Sequence, residues 1–125
     1  MSLFTNPQVV SDGTVDRTFN FRSQINDKKS SIIASEWVEP AASLATQSRL
    51  VIKHDESAKS QRRRLLQHVE YLPIADGTLK AATVNITITH HPEHAEASLV
   101  KLAMIPINLF KIAGSVASFL RGYIA

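Results

Sequence analysis

Lys80-Ala81-Ala82-Thr83-Val84-Asn85-Ile86-Thr87-Ile88-Thr89-His90-His91-Pro92-Glu93-His94 is the stretch on which the fold turns. As far as His91 the residues alternate, with Val84, Ile86 and Ile88 on one face and Asn85, Thr87 and Thr89 on the other. A period of two with one apolar side describes a strand in an antiparallel sheet covered on one face. At Pro92 the period changes. Proline suits a first helical turn, and Glu93 and Glu96 complement the dipole there. Leu99, Leu102, Ala103, Ile105, Leu109 and Phe110 then form a broad apolar helical stripe. Pro106 removes a backbone donor inside it, which predicts a kink or break near Leu102–Pro106. Gly114-Ser115 should close this helix and open a shorter one from Val116 to about Arg121.

Upstream, every segment reads as strand or turn. Gln8–Val10 and Val15–Phe21 flank Ser11-Asp12-Gly13-Thr14, an Asp-Gly hairpin signal. Val15, Phe19 and Phe21 share one face of the second run. Asn26–Lys29 is a polar turn, Ser31–Val38 an apolar segment with the single tryptophan, Trp37, and Glu39–Gln47 a loop begun at Pro40. Arg49–His54 alternates, with Leu50 and Ile52 against Arg49, Val51 and Lys53. After the polar connection Asp55–Gln61, Arg62–Leu72 places Leu65, Gln67, Val69 and Tyr71 on one face and Arg64, Leu66, His68 and Glu70 on the other. The phase of Tyr71 assigns it to the core. Asp76-Gly77 marks a tight turn before Lys80. Strands first and helices last make an α+β fold: an N-terminal hairpin and antiparallel sheet over residues 1–91, covered by two C-terminal helices over 92–125, in a single domain.

Composition narrows the function. A chain of 125 residues, 44% hydrophobic and 20% charged, suits one globular domain. With no cysteine, disulfides and thiolate metal sites are excluded. The first ten residues lack the basic start and apolar core of a secretory signal. A net charge of +3 is compatible with a polyanionic partner. There is no Gly-x-Ser-x-Gly and no phosphate-cradling glycine loop among the four glycines, so no enzyme and no cofactor are expected.

The segment Ile32-Ile33-Ala34-Ser35-Glu36-Trp37-Val38 resembles the Ala-Glu-Trp strand of levivirus coat proteins. Ser48-Arg49-Leu50-Val51-Ile52-Lys53-His54, a polar turn, and Arg62-Arg63-Arg64-Leu65-Leu66-Gln67-His68-Val69-Glu70-Tyr71 are similar to that family's central RNA-facing strands. Glu96–Lys111 is similar to the first of its two C-terminal helices. The resemblance runs in order along nearly the whole chain. It implies an obligate homodimer, with the sheet continued edge to edge and the helices reaching onto the partner. It also implies an icosahedral capsid built in the bacterial host cytoplasm around single-stranded viral RNA, and a sheet face able to grip an RNA hairpin and repress replicase translation. Leu99, Leu102, Ile105, Leu109 and Phe110 become the helical residues of core and dimer.

The expected RNA-binding residues are Arg49, Lys53, Arg62, Arg64 and His68, whose cations neutralise phosphates, with Asn85, Thr87 and Thr89 as hydrogen-bonding groups. Alignment with the family also places Val51, Lys53, Leu66 and His68 where hydroxyl groups and lysine usually line an adenine pocket. Val51 and Leu66 bring no hydroxyl. Non-specific retention is therefore expected to survive better than base readout.

Three rivals remain to be weighed. His90, His91, Glu93 and His94 offer metal-binding side chains without a His-Glu-x-x-His pattern, so a polar turn is the preferred reading and no metal is expected. Leu99–Leu120 could lie on a membrane as an amphipathic helix; Lys101, Pro106, Asn108 and Lys111 argue against a spanning helix, and a core-covering helix pair explains the same residues without a membrane. A small dimeric RNA-binding regulator that never assembles has nearly the same sequence needs as a shell subunit.

Overall fold

The computed structural model describes residues 6–27, 29, 31–40 and 46–122. Six strands, β1 (Gln8–Ser11), β2 (Asp16–Asp27), β3 (Ile32–Val38), β4 (Arg49–Asp55), β5 (Arg62–Pro73) and β6 (Leu79–His90), precede two helices, α1 (Glu96–Lys111) and α2 (Ser115–Arg121). The strands form one sheet in sequence order, each antiparallel to the next. By contacts the chain divides into two units, Met1–His90 and His91–Ala125.

Both Asp-Gly signals mark turns. Gly13 and Gly77 take φ of 96° and 85°, a left-handed conformation that glycine adopts without a Cβ penalty. In each turn the aspartate before the glycine accepts a hydrogen bond from the backbone N–H two residues on, Asp12 from Thr14 and Asp76 from Thr78, both at 2.9 Å. The backbone N–H groups of Val15 and Thr14 hold the Asp12 carboxyl below the usual carboxylate range, and the Thr78 hydroxyl and N–H do the same for Asp76. β2 continues to Asp27, past the turn expected to begin at Asn26, because Asn26 and Asp27 pair with Ile33 and Ile32. The register of β2 on β3 slips between Phe21 and Ser23, a bulge beyond which Gln24 and Asn26, not Ile25, share the face of Ser35 and Ile33. Most of the loop expected over Glu39–Gln47 lies outside the described residues.

The apolar face holds a small core. Phe19, Trp37 and Ile52 are buried, with Leu50 packed against them. Trp37, 1% exposed, meets the edge of Phe21 at 5.8 Å between ring centroids. Tyr71 is only partly buried.

Beside this core lies an ion cluster that no local pattern announces. Arg17 grips Glu39 with two donors, Nη2 at 2.7 Å and Nε at 2.9 Å, and its Nη2 stands 2.6 Å from Glu70. The buried Ser48 hydroxyl donates to Glu70 at 3.3 Å. β2, β5 and the residues flanking β3 and β4 are thereby tied together. The hydrogen bond from Arg17 holds the Glu39 carboxyl below the usual range, and the two glutamates raise the Arg17 guanidinium above its own.

α1 runs unbroken through Pro106, so the break expected near Leu102–Pro106 does not occur. Pro106 denies a donor to one carbonyl, that of Leu102, in a turn open to water. The chain turns instead after Lys111, where α1 and α2 meet at 88° and Gly114 takes φ of 79°. Phe110 and Phe119 pack edge to face across that corner at 5.4 Å. The expected burial of the helical stripe is not reached within one chain: α1 buries none of its residues, and Leu102 and Ile105 are 56% and 71% exposed. Neither helix alone is long and apolar enough to cross a membrane; only the bent pair together has the length and composition.

Candidate nucleic-acid interface

Residues directly opposed in antiparallel strands share a face, so the register decides which side chains can act together. Across β4, β5 and β6, Lys53, Leu65 and Thr87 stand in one row. Val51, Gln67 and Asn85 form the row on one side of it, and Asp55, Arg63 and Thr89 the row on the other. Arg49 continues the same face opposite Val69.

The opposite face carries the rows Leu50–His68–Val84, Ile52–Leu66–Ile86 and His54–Arg64–Ile88. The expected set is therefore split. Arg49, Val51, Lys53, Asn85, Thr87 and Thr89 lie together, whereas Arg62, Arg64, Leu66 and His68 lie on the apolar side. Lys53 pairs with Leu65, so a side chain two places from Leu65 joins it and an immediate neighbour cannot.

The displaced arginines have local work. Arg62 Nη1 donates to the carbonyls of Ala58 and Glu56 at 3.1 and 3.4 Å, and Arg64 Nη2 pairs with Glu56 at 2.8 Å. Together they hold the β4–β5 connection, and Arg64 keeps the Glu56 carboxyl below its ordinary range. Arg64 also lines a cavity of about 350 Å3 with His54, Asn26 and Ile33, where burial, and then the Arg64 charge, lowers the His54 pKa. His68 meets Phe19 edge to face at 6.0 Å.

On the polar face the same register makes a shallow hollow of about 320 Å3. Lys53, Asp55 and Arg63 line its charged part, Leu65 and Thr87 its middle, and Gln67 and Asn85 the rest. Gln67 Nε2 donates to Asn85 Oδ1 at 2.9 Å. Hydrogen bonds from the Ser57 hydroxyl and backbone hold the Asp55 carboxyl below its usual range, so two cations face one carboxylate. Such a surface can neutralise phosphates and offer hydrogen bonds to base edges.

Arg63, Leu65 and Gln67 were missing from the sequence-based site. The Asp-Gly signal could not have found them: counted outward as a two-residue turn, Asp76-Gly77 sets Gln67 opposite Ile86, whereas the five-residue connection between Pro73 and Leu79 sets it opposite Asn85. Among the described residues no group of three metal-ligating side chains converges.

No protein-family model matches the chain, and no curated protein matches it in sequence. Solved structures do. The virus-like particle of Beihai levi-like virus 21 is matched with a TM-score of 0.74 at 14% identity, over 96% of each chain. This is the levivirus coat-protein fold. The virus-like particle of bacteriophage NT-214 matches over 98% of each chain, with a TM-score of 0.74 and 10% identity. That of bacteriophage AVE019 matches over 98% of this chain and 99% of its own, with a TM-score of 0.70 and 12% identity. Among the described residues six strands and two helices carry this fold, on a sequence that shares few residues with these structural neighbours.

Proposed function

We propose that this chain is the capsid protein of a small single-stranded RNA bacteriophage, one coat domain that dimerises, assembles into an icosahedral shell and holds viral RNA on its polar sheet face. The observation that carries the reading is the end-to-end likeness to chains taken from virus-like particles. The surface supports it. β6 is a twelve-residue strand at the sheet edge, and such edges invite a further strand. Val84 and Ile86 on the apolar face and the α1 stripe are exposed in the single chain, and a second copy would remove them from water. Sheet continuation across an obligate homodimer, with helices laid on the partner, covers all three features and ties stability to concentration.

On this reading Lys53 and Arg63 neutralise phosphates, while Asn85, Thr87 and Thr89 supply polar contacts. A hairpin of the replicase message gripped on the same face would repress translation, and the shell would form in the host cytoplasm before release as a virion.

The test is to express the full chain in bacteria, size it by gel filtration, image it by negative stain and measure its ratio of absorbance at nucleic-acid and protein wavelengths. Uniform particles containing RNA are expected. A clean RNA-binding dimer would point instead to a regulator that never assembles, and a nucleic-acid-free monomer would overturn both assembly and RNA retention.

A further inference from the structure

Two polar groups lack a partner, one on the helix and one on the sheet. Pro106 leaves the Leu102 carbonyl without its helical donor, inside the apolar stripe of α1. Water satisfies that carbonyl while the stripe is exposed, as Leu102 is in the single chain. Covering the stripe removes the water, so the covering surface has to supply a donor. On the apolar sheet face, His68 Nε2 is buried and has no hydrogen-bond partner among the described residues. We infer that His68 donates through Nε2 to the Leu102 carbonyl of a second copy, a contact that fixes where α1 of one subunit lies on the sheet of the other. The inference rests on the reading of the chain as a dimer whose helices cover the partner's sheet.

Three observations carry it. First, the surroundings match. His68 stands in the row Leu50–His68–Val84, with Leu66 two places away on the same face of β5. Leu102 sits in a stripe with Leu99, Ile105 and Leu109, so each surface holds a polar group set among apolar side chains. Second, the chemistry matches. A neutral imidazole carries one N–H, and the nitrogen that holds it follows the acceptor it finds. Docking asks for a turn about χ2, a soft torsion for imidazole, and side-chain adjustments of that kind are common on association. Third, the other unpartnered nitrogen of this face fits less well. Arg64 Nη1 is also buried without a partner among the described residues, but its guanidinium is tied to Glu56. It lines a cavity with His54 and Asn26, a polar setting for an apolar stripe.

The experiment is urea unfolding of the full-length protein at several concentrations, read by Trp37 fluorescence and fitted as dimer to unfolded monomers. Wild type should unfold at a midpoint that rises with protein concentration. His68→Phe keeps a ring against Phe19 and removes the donor. It should weaken the dimer roughly tenfold for each bond, and about a hundredfold in a two-fold dimer that makes the bond twice. Pro106→Ala restores the missing N–H to the helix, so in that background His68→Phe should cost less than about threefold. His68→Gln, which keeps a donor, should retain most of the wild-type stability. A His68→Phe protein that folds only when combined with Pro106→Ala would report the same rescue. Equal loss in the two backgrounds, failure to fold in both included, would overturn the bond and leave the dimer standing. A wild-type midpoint that does not move with concentration would overturn the dimer reading, and the bond with it.

Discussion

Replacing Arg17 by methionine tests the ion cluster most directly, because methionine keeps an unbranched apolar stem and removes only the charged head. The guanidinium makes contacts of 2.6, 2.7 and 2.9 Å to two carboxylates. Its side chain is 19% exposed and each glutamate 28%, so water reaches the cluster without dominating it. Removing one partner of a fully buried pair costs about 3–5 kcal/mol, mainly by stranding the other charge. Partial exposure discounts that to about 2–3 kcal/mol here. Urea unfolding followed by the fluorescence of Trp37, at one fixed protein concentration, reads the loss at neutral pH. Adding Glu39→Gln and Glu70→Gln to Arg17→Met should restore most of it, since no charge is then stranded.

The pH dependence supplies a second check. The Glu39 carboxyl is held below its ordinary 4.5 in the folded chain. A depressed carboxyl contributes stability that is fully present above the unfolded value and lost as pH falls through the folded one. Wild type and Arg17→Met should therefore converge in stability as pH drops below about 4.5. A loss under about 0.5 kcal/mol at neutral pH, or a gap that stays constant down to pH 3, would refute the role given to the cluster.

Trp37→Ala should cost about 3–5 kcal/mol, through lost burial and the cavity left beside Phe21 and Leu50, read as a lowered urea midpoint by circular dichroism. His54 is held below its ordinary 6.5 chiefly by burial. The folded state resists its protonation, so stability should be full above pH 6.5 and fall as the solution is acidified, and His54→Gln should remove that slope in urea melts at pH 7 and pH 5. Arg62→Ala with Arg64→Ala should leave RNA retention nearly unchanged but speed amide hydrogen exchange across the connection at residues 56–61, whereas Lys53→Ala with Arg63→Ala should do the reverse. Equal RNA loss in the two double variants would mean that the faces have been assigned wrongly.

The sequence by itself determined what local chemistry can determine. Asp12-Gly13 and Asp76-Gly77 placed the turns, because an aspartate that bonds its own backbone and a glycine free to take positive φ act within four residues. Alternation at Val84–Thr89 marked a strand, Pro92 marked the change of period, and strands followed by helices stated the fold class. Pro106 misled because its missing donor is a local fact, whereas its cost depends on whether the orphaned carbonyl can reach water.

Tertiary structure decided which faces meet. Alternation along β5 is indifferent to which half faces Lys53, and a slip of one residue exchanges Arg64, Leu66 and His68 for Arg63, Leu65 and Gln67. Only pairing between distant strands settles that parity, so the basic run at Arg62–Arg64 divides between the two faces. Arg17, Glu39, Ser48 and Glu70 likewise meet only after β2 to β5 have stacked, because an ion pair between distant strands leaves no period for a sequence to show. The α1 stripe reads as buried along the chain yet stands exposed in the single subunit, since its apolar spacing records that a cover exists and says nothing about which molecule provides it.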